Sequence, residues 1–253
     1  MRRVLIGLIW GLGLFTYPQG EEVNPVFKDN FDSDPNEGKS WSIYRHADDE
    51  ECEGYWDEDT KALYLVDSIN NLGCAIFADY ILKTKRWRVG FKFKVENEGG
   101  ADGIVFMFYK DTGLYKERVI SIGGTLGFTV LDKEEEDIEE VPGYGIEFDI
   151  YHNEYDPTDL EHVAVIKDLA CDEEAHLEYE EIEDGLPRDE WCKVQIDFDR
   201  GKIRVALDGE EVLKYTLKDP DYTHTGVGFA ATTGGKNNSF CIDEFQIIDL
   251  EGR

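Results

Sequence analysis

Glu147, Asp149, Tyr151 and Asn153 occupy alternate positions in the stretch Gly145–Lys167, which reads GIEFDIYHNEYDPTDLEHVAVIK. In an extended strand alternate side chains share a face, so these four would stand together while Phe148 and Ile150 point into a core. A face with two carboxylates and an amide is costly to bury without compensating partners. Asp156-Pro157 then opens a turn, and His162 leads directly into the apolar run Val163–Ile166. The turn can fold Asp156 and His162 back over the carboxylates, gathering three carboxylates, an amide, an imidazole and free loop carbonyls. Hard oxygen ligands suit calcium, whereas the mixed Glu147, Asp149, Asp156 and His162 set suits manganese or another first-row ion. Asp149 and Asp156 could bridge both ions. By spacing alone, an exposed acidic strand with a chance histidine reads the same way.

The elements that must position these residues are short alternating strands. Arg86–Glu96 reads RWRVGFKFKVE, with Trp87, Val89, Phe91, Phe93 and Val95 on one face and mostly charges on the other. That is the period-two pattern of a half-buried antiparallel strand. Similar runs are Trp41–His46, Ala62–Val66, Gly103–Tyr109, Leu126–Leu131, Val163–Lys167, Val194–Phe198, Ile203–Leu207, Val212–Leu217, Val227–Thr232 and Phe240–Ile248. Turn chemistry separates them at Gly99-Gly100, Gly123-Gly124, Asp208-Gly209 and Gly234-Gly235. Asp208-Gly209 is the strongest hairpin signal, because a type I′ turn needs positive φ at both centres. No long segment has a helical period, so the expected class is all-β, an antiparallel sandwich or barrel. One domain is expected over residues 22–253.

Composition narrows the partners. The net charge of −30 repels nucleic-acid backbones and anionic lipid surfaces, so neither is expected as a partner. Uncharged sugars are not penalised. Arg2 and Arg3 precede the apolar run Val4–Phe15, which reads as an export leader over residues 1–20, removed near Thr16–Gly20. The run is short for a spanning helix, which needs about 20 apolar residues. Apart from an uncleaved anchor at that end, no membrane contact is expected. The chain is therefore read as secreted or lumenal in the secretory pathway. Export makes one or two disulfides expected among Cys52, Cys74, Cys171, Cys192 and Cys241, whose spacing fits no zinc pattern. Acidic clusters at Asp48–Glu53, Glu134–Glu140 and Asp172–Asp184 read as solvated loops or strand faces.

Four blocks together carry a family resemblance. Glu147-Phe148-Asp149-Ile150-Tyr151-His152-Asn153-Glu154-Tyr155-Asp156-Pro157, followed by His162-Val163-Ala164-Val165, resembles the metal-binding stretch of the legume (L-type, concanavalin A-like) lectins. Ala101-Asp102-Gly103-Ile104-Val105-Phe106, Gly123-Gly124-Thr125-Leu126-Gly127-Phe128 and Val227-Gly228-Phe229-Ala230-Ala231-Thr232-Thr233-Gly234 are similar to further family blocks, in family order. The resemblance implies a jelly-roll β-sandwich lectin with no enzymatic activity. It implies a transition-metal ion, manganese or similar, on Glu147, Asp149, Asp156 and His162. Calcium would sit on Asp149, Asn153, Asp156 and the Tyr151 carbonyl, fixing Asn153 and a cis peptide before Asp102. Asp102 and Asn153 would then bind adjacent sugar hydroxyls, helped by a backbone N–H near Gly124. The Tyr151 ring would stack on the pyranose, and the loop of Thr233, Gly234 and Gly235 would border the site. The Asp156-to-His162 spacing is one residue longer than in many plant members.

Two other classes fit parts of the pattern. Laminarinase- and lichenase-type β-glucan hydrolases share the sandwich and place paired acids on one strand, and Glu147 with Asp149 supplies two members. The third position holds Tyr151 or His152, not an acid. A structural or interaction sandwich that has lost the sugar is the other. Glycans, free or protein-linked, are the expected partners of a lectin site. A shallow site of this kind binds at about 0.1–1 mM, which is roughly 4–5.5 kcal/mol. Useful avidity then needs several sites, which is the reason to expect a homo-oligomer.

Overall fold

Burial of alternate side chains, not helix formation, organises this chain. The structure is a computed structural model that describes residues 24–38, 40–47, 51–97, 100–110, 115, 119–131, 138–223 and 226–251. The first strands are β1 (Phe27–Asp29), β2 (Trp41–Arg45), β3 (Glu53–Asp57), β4 (Ala62–Val66), β5 (Gly73–Ala78) and β6 (Arg86–Glu96). Next come β7 (Gly103–Tyr109), β8 (Val119–Ile120), β9 (Val130–Leu131), β10 (Ile138–Glu139), β11 (Gly143–Asp149) and β12 (His162–Lys167). The last are β13 (His176–Glu181), β14 (Cys192–Asp199), β15 (Lys202–Leu207), β16 (Glu210–Thr216), β17 (Gly226–Thr232) and β18 (Ser239–Asp249). Among the described residues, helix occurs at Pro35–Gly38, at Tyr115 and in the 3-10 turns Gly123–Thr125 and Glu173–Ala175, and no helix is long and apolar enough to cross a membrane. The leader read at residues 1–20 lies outside the described residues.

Two sheets face each other. The back sheet runs β16-β15-β14-β6-β18-β4-β3, with β1 added on β18, and the front sheet runs β13-β12-β11-β7-β17-β5-β2. Consecutive neighbours in both are antiparallel. β6 buries Trp87, Val89, Phe91, Phe93 and Val95 as its alternation predicts, and turns Arg88 outward to pair with Asp197 on β14. Between the sheets lies an aromatic core in which Phe91, Phe106 and Phe245 each meet Phe229 edge to face, with Phe91 and Phe229 centroids 4.8 Å apart. Each such ring contributes roughly 1.5–3 kcal/mol by leaving water.

The front sheet is buried on its other face too. A second cluster of Phe77, Val105, Met107, Tyr115, Phe128 and Ile166 covers it, roofed in part by the small sheet β10-β9-β8. Double burial explains why β5, β7 and β11 read as near-continuous apolar runs. It also means that polar side chains on the outer face of β11 are enclosed rather than washed by solvent.

Several expectations need correction. The run Leu126–Leu131 is a strand only at Val130–Leu131, because Leu126 (φ 47°) and Gly127 (φ 70°) turn the chain through the left-handed region after the Gly123–Thr125 turn. Against the expected disulfides, Cys74, Cys171, Cys192 and Cys241 are free thiols, with Cys74, Cys192 and Cys241 each buried on a different strand. Glu53, read as part of a solvated cluster, is fully buried. Of the other two acidic clusters, most of Glu134–Glu140 lies outside the described residues. Asp172–Asp184 contains β13, an edge strand whose exposed Glu178, Glu180 and Glu181 discourage pairing with another chain.

Candidate functional site

The register of β11 decides which side chains meet. Glu147 lies between Val105 of β7 and Ala164 of β12, and Asp149 lies between Gly103 and His162. Directly opposed residues share a face. Glu147, Asp149 and His162 therefore stand on the outer face of the front sheet, while Phe148 packs into the aromatic core against Phe93. Val105, Met107 and Ile166 make the rest of that outer face apolar, so all three polar groups are nearly fully buried.

Past Asp149 the chain leaves the sheet and coils over these groups. Tyr151 N donates to Asp149 Oδ1 at 2.6 Å, and Asn153 N donates to Asp156 Oδ2. Asp156 N donates back to the Asn153 carbonyl at 3.1 Å, and Asn153 Nδ2 donates to the Tyr151 carbonyl at 3.3 Å. These bonds bring Asp156 and Asn153 next to Asp149, as the turn at Asp156-Pro157 predicts.

Asp102 arrives from another direction. The Ala101–Asp102 peptide is cis, as the family resemblance implies. Asp102 N donates to the Thr232 carbonyl at 3.1 Å, and Ile150 N donates to the Asp102 carbonyl at 3.0 Å. This ties Asp102 between the ends of β17 and β11. Gly124 sits over Asn153: a Cβ there would lie 2.5 Å from Asn153 Nδ2 and 2.2 Å from Tyr155 Oη. A side chain at this position would therefore fill the space above the amide.

The Gly-rich loop after β17 divides by role. Thr233 is fully enclosed, its hydroxyl donating to the Ile69 carbonyl at 2.6 Å and accepting from Leu72 N at 2.9 Å. It shapes the loop from within. Gly234 borders the site, where an added Cβ would lie 3.1 Å from Asp102 Oδ2, and Gly235 is open to solvent space. The ring of Tyr151 carries the Lys236 ammonium 4.8 Å from its centroid, so one face is occupied by a cation.

The electrostatics are unusual for a protein interior. Asp102 Oδ2, Asp149 Oδ2, Asp156 Oδ1 and His162 Nε2 are buried with no hydrogen-bond partner among the described residues. Burial, and then the charge of Asp156, push the Asp102 carboxyl up to about 7. Asp149 is held well above the carboxylate range by burial, then by the charges of Glu147 and Asp156. Asp156 is also raised, burial outweighing the hydrogen bond from Asn153. Buried acceptors normally have partners, and like charges this close disfavour one another. A bound cation would supply both the missing partner and the missing charge. The residues present fit calcium: acidic oxygens from Asp149 and Asp156, with an amide and a carbonyl at Asn153 and Tyr151.

Sequence reasoning missed two residues. Tyr155 brings its hydroxyl to Gly124, and His176 brings its ring to Glu147. Nothing in local spacing marks either one; His176 lies in a stretch that reads only as acidic.

Solved structures share this architecture. The Emp46p carbohydrate recognition domain, metal-free form, matches with a TM-score of 0.65 at 11% identity, covering 90% of this chain and 99% of that one. The VIP36 exoplasmic/lumenal domain in its Ca2+/Man-bound form matches with 0.62 at 14%, covering 85% and 84%. The lectin from Bauhinia forficata in complex with GalNAc also matches with 0.62 at 14%, covering 88% and 96%. No protein-family model matches the sequence, and no curated protein matches it. Identities this low speak for the fold alone: the chain is an antiparallel β-sandwich with the fold of these L-type lectin domains.

Proposed function

We propose that this chain is a non-enzymatic carbohydrate-binding protein, a lectin whose sugar site is organised by calcium. The observation that carries this reading is the convergence of Asp102, Asn153 and Gly124 beside buried carboxylate oxygens that lack partners. Asp102 accepts from sugar hydroxyls, Asn153 donates to a neighbouring one, and the bare Gly124 backbone lets the ring approach. Gly234 and Gly235 border the ring, and Tyr151 offers it an aromatic edge or its free face. Asp149, Asp156, Asn153 and the Tyr151 carbonyl would hold calcium, which supplies the charge that keeps the loop and Asp102 in place. The reading is consistent with glycan-bound forms among proteins of the same fold, such as VIP36 with Ca2+/Man3GlcNAc. It also fits an exported or lumenal protein with a leader at residues 1–20 and one domain from residue 22 onward.

Hydrolysis fits less well. Glu147, the glutamate a β-glucan hydrolase would use, is buried against His176 at 3.2 Å, where no glycosidic bond reaches it. A glycan array with calcium and again with chelator tests the reading. Glycan binding should appear only with calcium, and Asp102→Asn and Gly124→Val should each abolish it. No binding with calcium supplied, or binding that survives both substitutions, overturns it. Release of reducing ends from mixed β-glucans, lost in Glu147→Gln, would establish the hydrolase instead.

A further inference from the structure

Asp102 and Asn153 stand at one end of the sandwich, and the other end carries a different surface. β11 begins there at Gly143 and reaches the site only at Asp149, a run of roughly 20 Å. Trp87 at the start of β6 packs against Phe108 near the end of β7, with centroids 5.3 Å apart, so both sheets share this far pole. The turn between β5 and β6 crosses it. Arg200 N donates to the Lys85 carbonyl at 2.9 Å, which brings in the turn between β14 and β15. Leu217 N donates to the Gly201 carbonyl at 2.9 Å, which adds the segment after β16.

Of the six large hydrophobic side chains exposed among the described residues, three stand on this pole: Ile81 at 60%, Val26 at 46% and Tyr222 at 37%. Ile81 is the most exposed of the six. They form one patch. Val26 precedes Phe27, whose ring lies 5.8 Å from that of Tyr80, the neighbour of Ile81. Tyr222 carries the Lys85 ammonium 4.5 Å from its centroid. Lys83, Lys85, Arg200 and Lys218 offset Asp79, Asp219 and Asp221 around the patch, in a chain whose net charge is −30. Repulsion from lipid head groups is therefore weakest on this side. Tyrosine and lysine keep an apolar body in lipid and a polar tip among the head groups, so this composition suits a bilayer interface.

The chain enters at the same pole. Val26 N donates to the Ile247 carbonyl at 2.8 Å, and β1 lies on β18 from Phe27 onward. Upstream, Val4–Gly20 holds no charged residue between Arg3 and Glu21. Its length is about the least that spans a bilayer, roughly 17 residues. Arg2 and Arg3 before it hold that end inside and send the domain out, while Thr16–Gly20 offers no A-x-A-like pair for removal.

We propose that Val4–Gly20 is retained as a membrane anchor and that the pole of Val26, Ile81 and Tyr222 rests on the bilayer surface, turning the sugar site outward. Glu21–Val23 then form a tether that reaches at most about 10 Å, so the pole cannot stand clear of the head groups. Ile81 and Val26 enter the interface, Tyr222 sits at its edge, and Lys83 and Lys85 reach the phosphates.

The test uses the full chain, made in an exporting host, without glycan or added calcium. Intact mass of the membrane fraction should show Arg2 and Arg3 still present. The protein is then placed in phosphatidylcholine vesicles that carry a photoreactive group at head-group depth. Cross-linked peptides should contain Tyr80–Lys85 and Tyr222, and not Ile69, which is 45% exposed at the sugar end. Ile81→Asp should lower the yield at Tyr222 by about tenfold, the scale of one aliphatic side chain leaving an apolar interface, while the chain stays in the membrane fraction. Ile69→Asp should leave that yield unchanged, and circular dichroism of both variants should report an intact fold. Chains that lack residues 1–20, equal yields at Ile69 and Ile81, or a yield that Ile81→Asp leaves unchanged would each overturn the proposal. Equal yields would show a domain that turns freely on its tether. Because no glycan is present, none of these results bears on the sugar reading.

Discussion

Glu53 and Asp149 are carboxylates of nearly equal burial with opposite surroundings. Glu53 accepts Gly73 N at 2.7 Å on one oxygen and Ala47 N at 2.9 Å on the other. Asp149 accepts Tyr151 N on one oxygen and has nothing on the other, with Glu147 and Asp156 as neighbours. The first carboxylate completes the backbone around it, closing the start of β5 against the turn after β2. The second is completed by nothing among the described residues. Burial of an acid is therefore not the mark of a site; burial with a lone pair left over is.

The largest test of this contrast removes the partner that is complete. Glu53→Ala leaves the buried Gly73 N–H without an acceptor, which costs about 1–3 kcal/mol, while the Ala47 N–H that also loses its partner is at the surface. Urea unfolding should show a loss of roughly 1–3 kcal/mol, equal with calcium and with chelator. A loss that calcium changes would break the comparison, since Glu53 would then belong to the ion site.

Calcium itself should act at Asp149 and not at Glu53. At a free concentration a hundred times its dissociation constant, a ligand specific for the folded state adds about 2.7 kcal/mol. Thermal unfolding of the wild-type chain should rise accordingly, and Asp149→Asn should abolish the rise. In chelator the same substitution should leave stability unchanged or raise it, because it removes a charge that has no counter-charge. A metal-independent loss like that of Glu53→Ala would show that the two carboxylates are alike after all.

The smallest effect is in pH. Asp102, Asp149 and Asp156 are all raised in the folded chain, so protons bind the folded form better than the unfolded one. The metal-free protein should lose stability as pH rises from the ordinary aspartate value of 3.8 to about 7, the value reached by Asp102. His176 works in the same direction. Burial pulls its pKa down, but the hydrogen bond and charge of Glu147 leave it raised above 6.5, so its contribution is present below that value and fades above it. Melting in chelator across this window should fall with pH, Asp102→Asn should flatten the slope, and calcium should remove most of it. A flat metal-free profile would mean that these groups already have partners.

Much of this molecule was legible locally. The face of Arg86–Glu96, the hairpin at Asp208-Gly209 with φ of 49° and 91°, and the alternating acids of β11 follow from period two and from turn chemistry. Those are properties of a few neighbouring residues, and they hold wherever the segment lies. The blocks around Asp102, Gly124 and Asn153 were readable as well, because their resemblance lies in residue type and order.

Other features were decided only by packing across strands. The stretch HLEYEE has too little apolar content to declare itself a strand, and it is one because β12 offers it an edge. His176 meets Glu147 because one residue of the ladder is passed over, a choice of register that no spacing encodes. The Thr233 hydroxyl serves the backbone at Ile69 and Leu72, and the buried thiols of Cys74, Cys192 and Cys241 stay free because each lies on a different strand. Sequence alone determined which residues could bind a cation and a sugar. The tertiary structure decided which of their lone pairs were left without partners, because that depends on what every neighbouring strand brings to the same face.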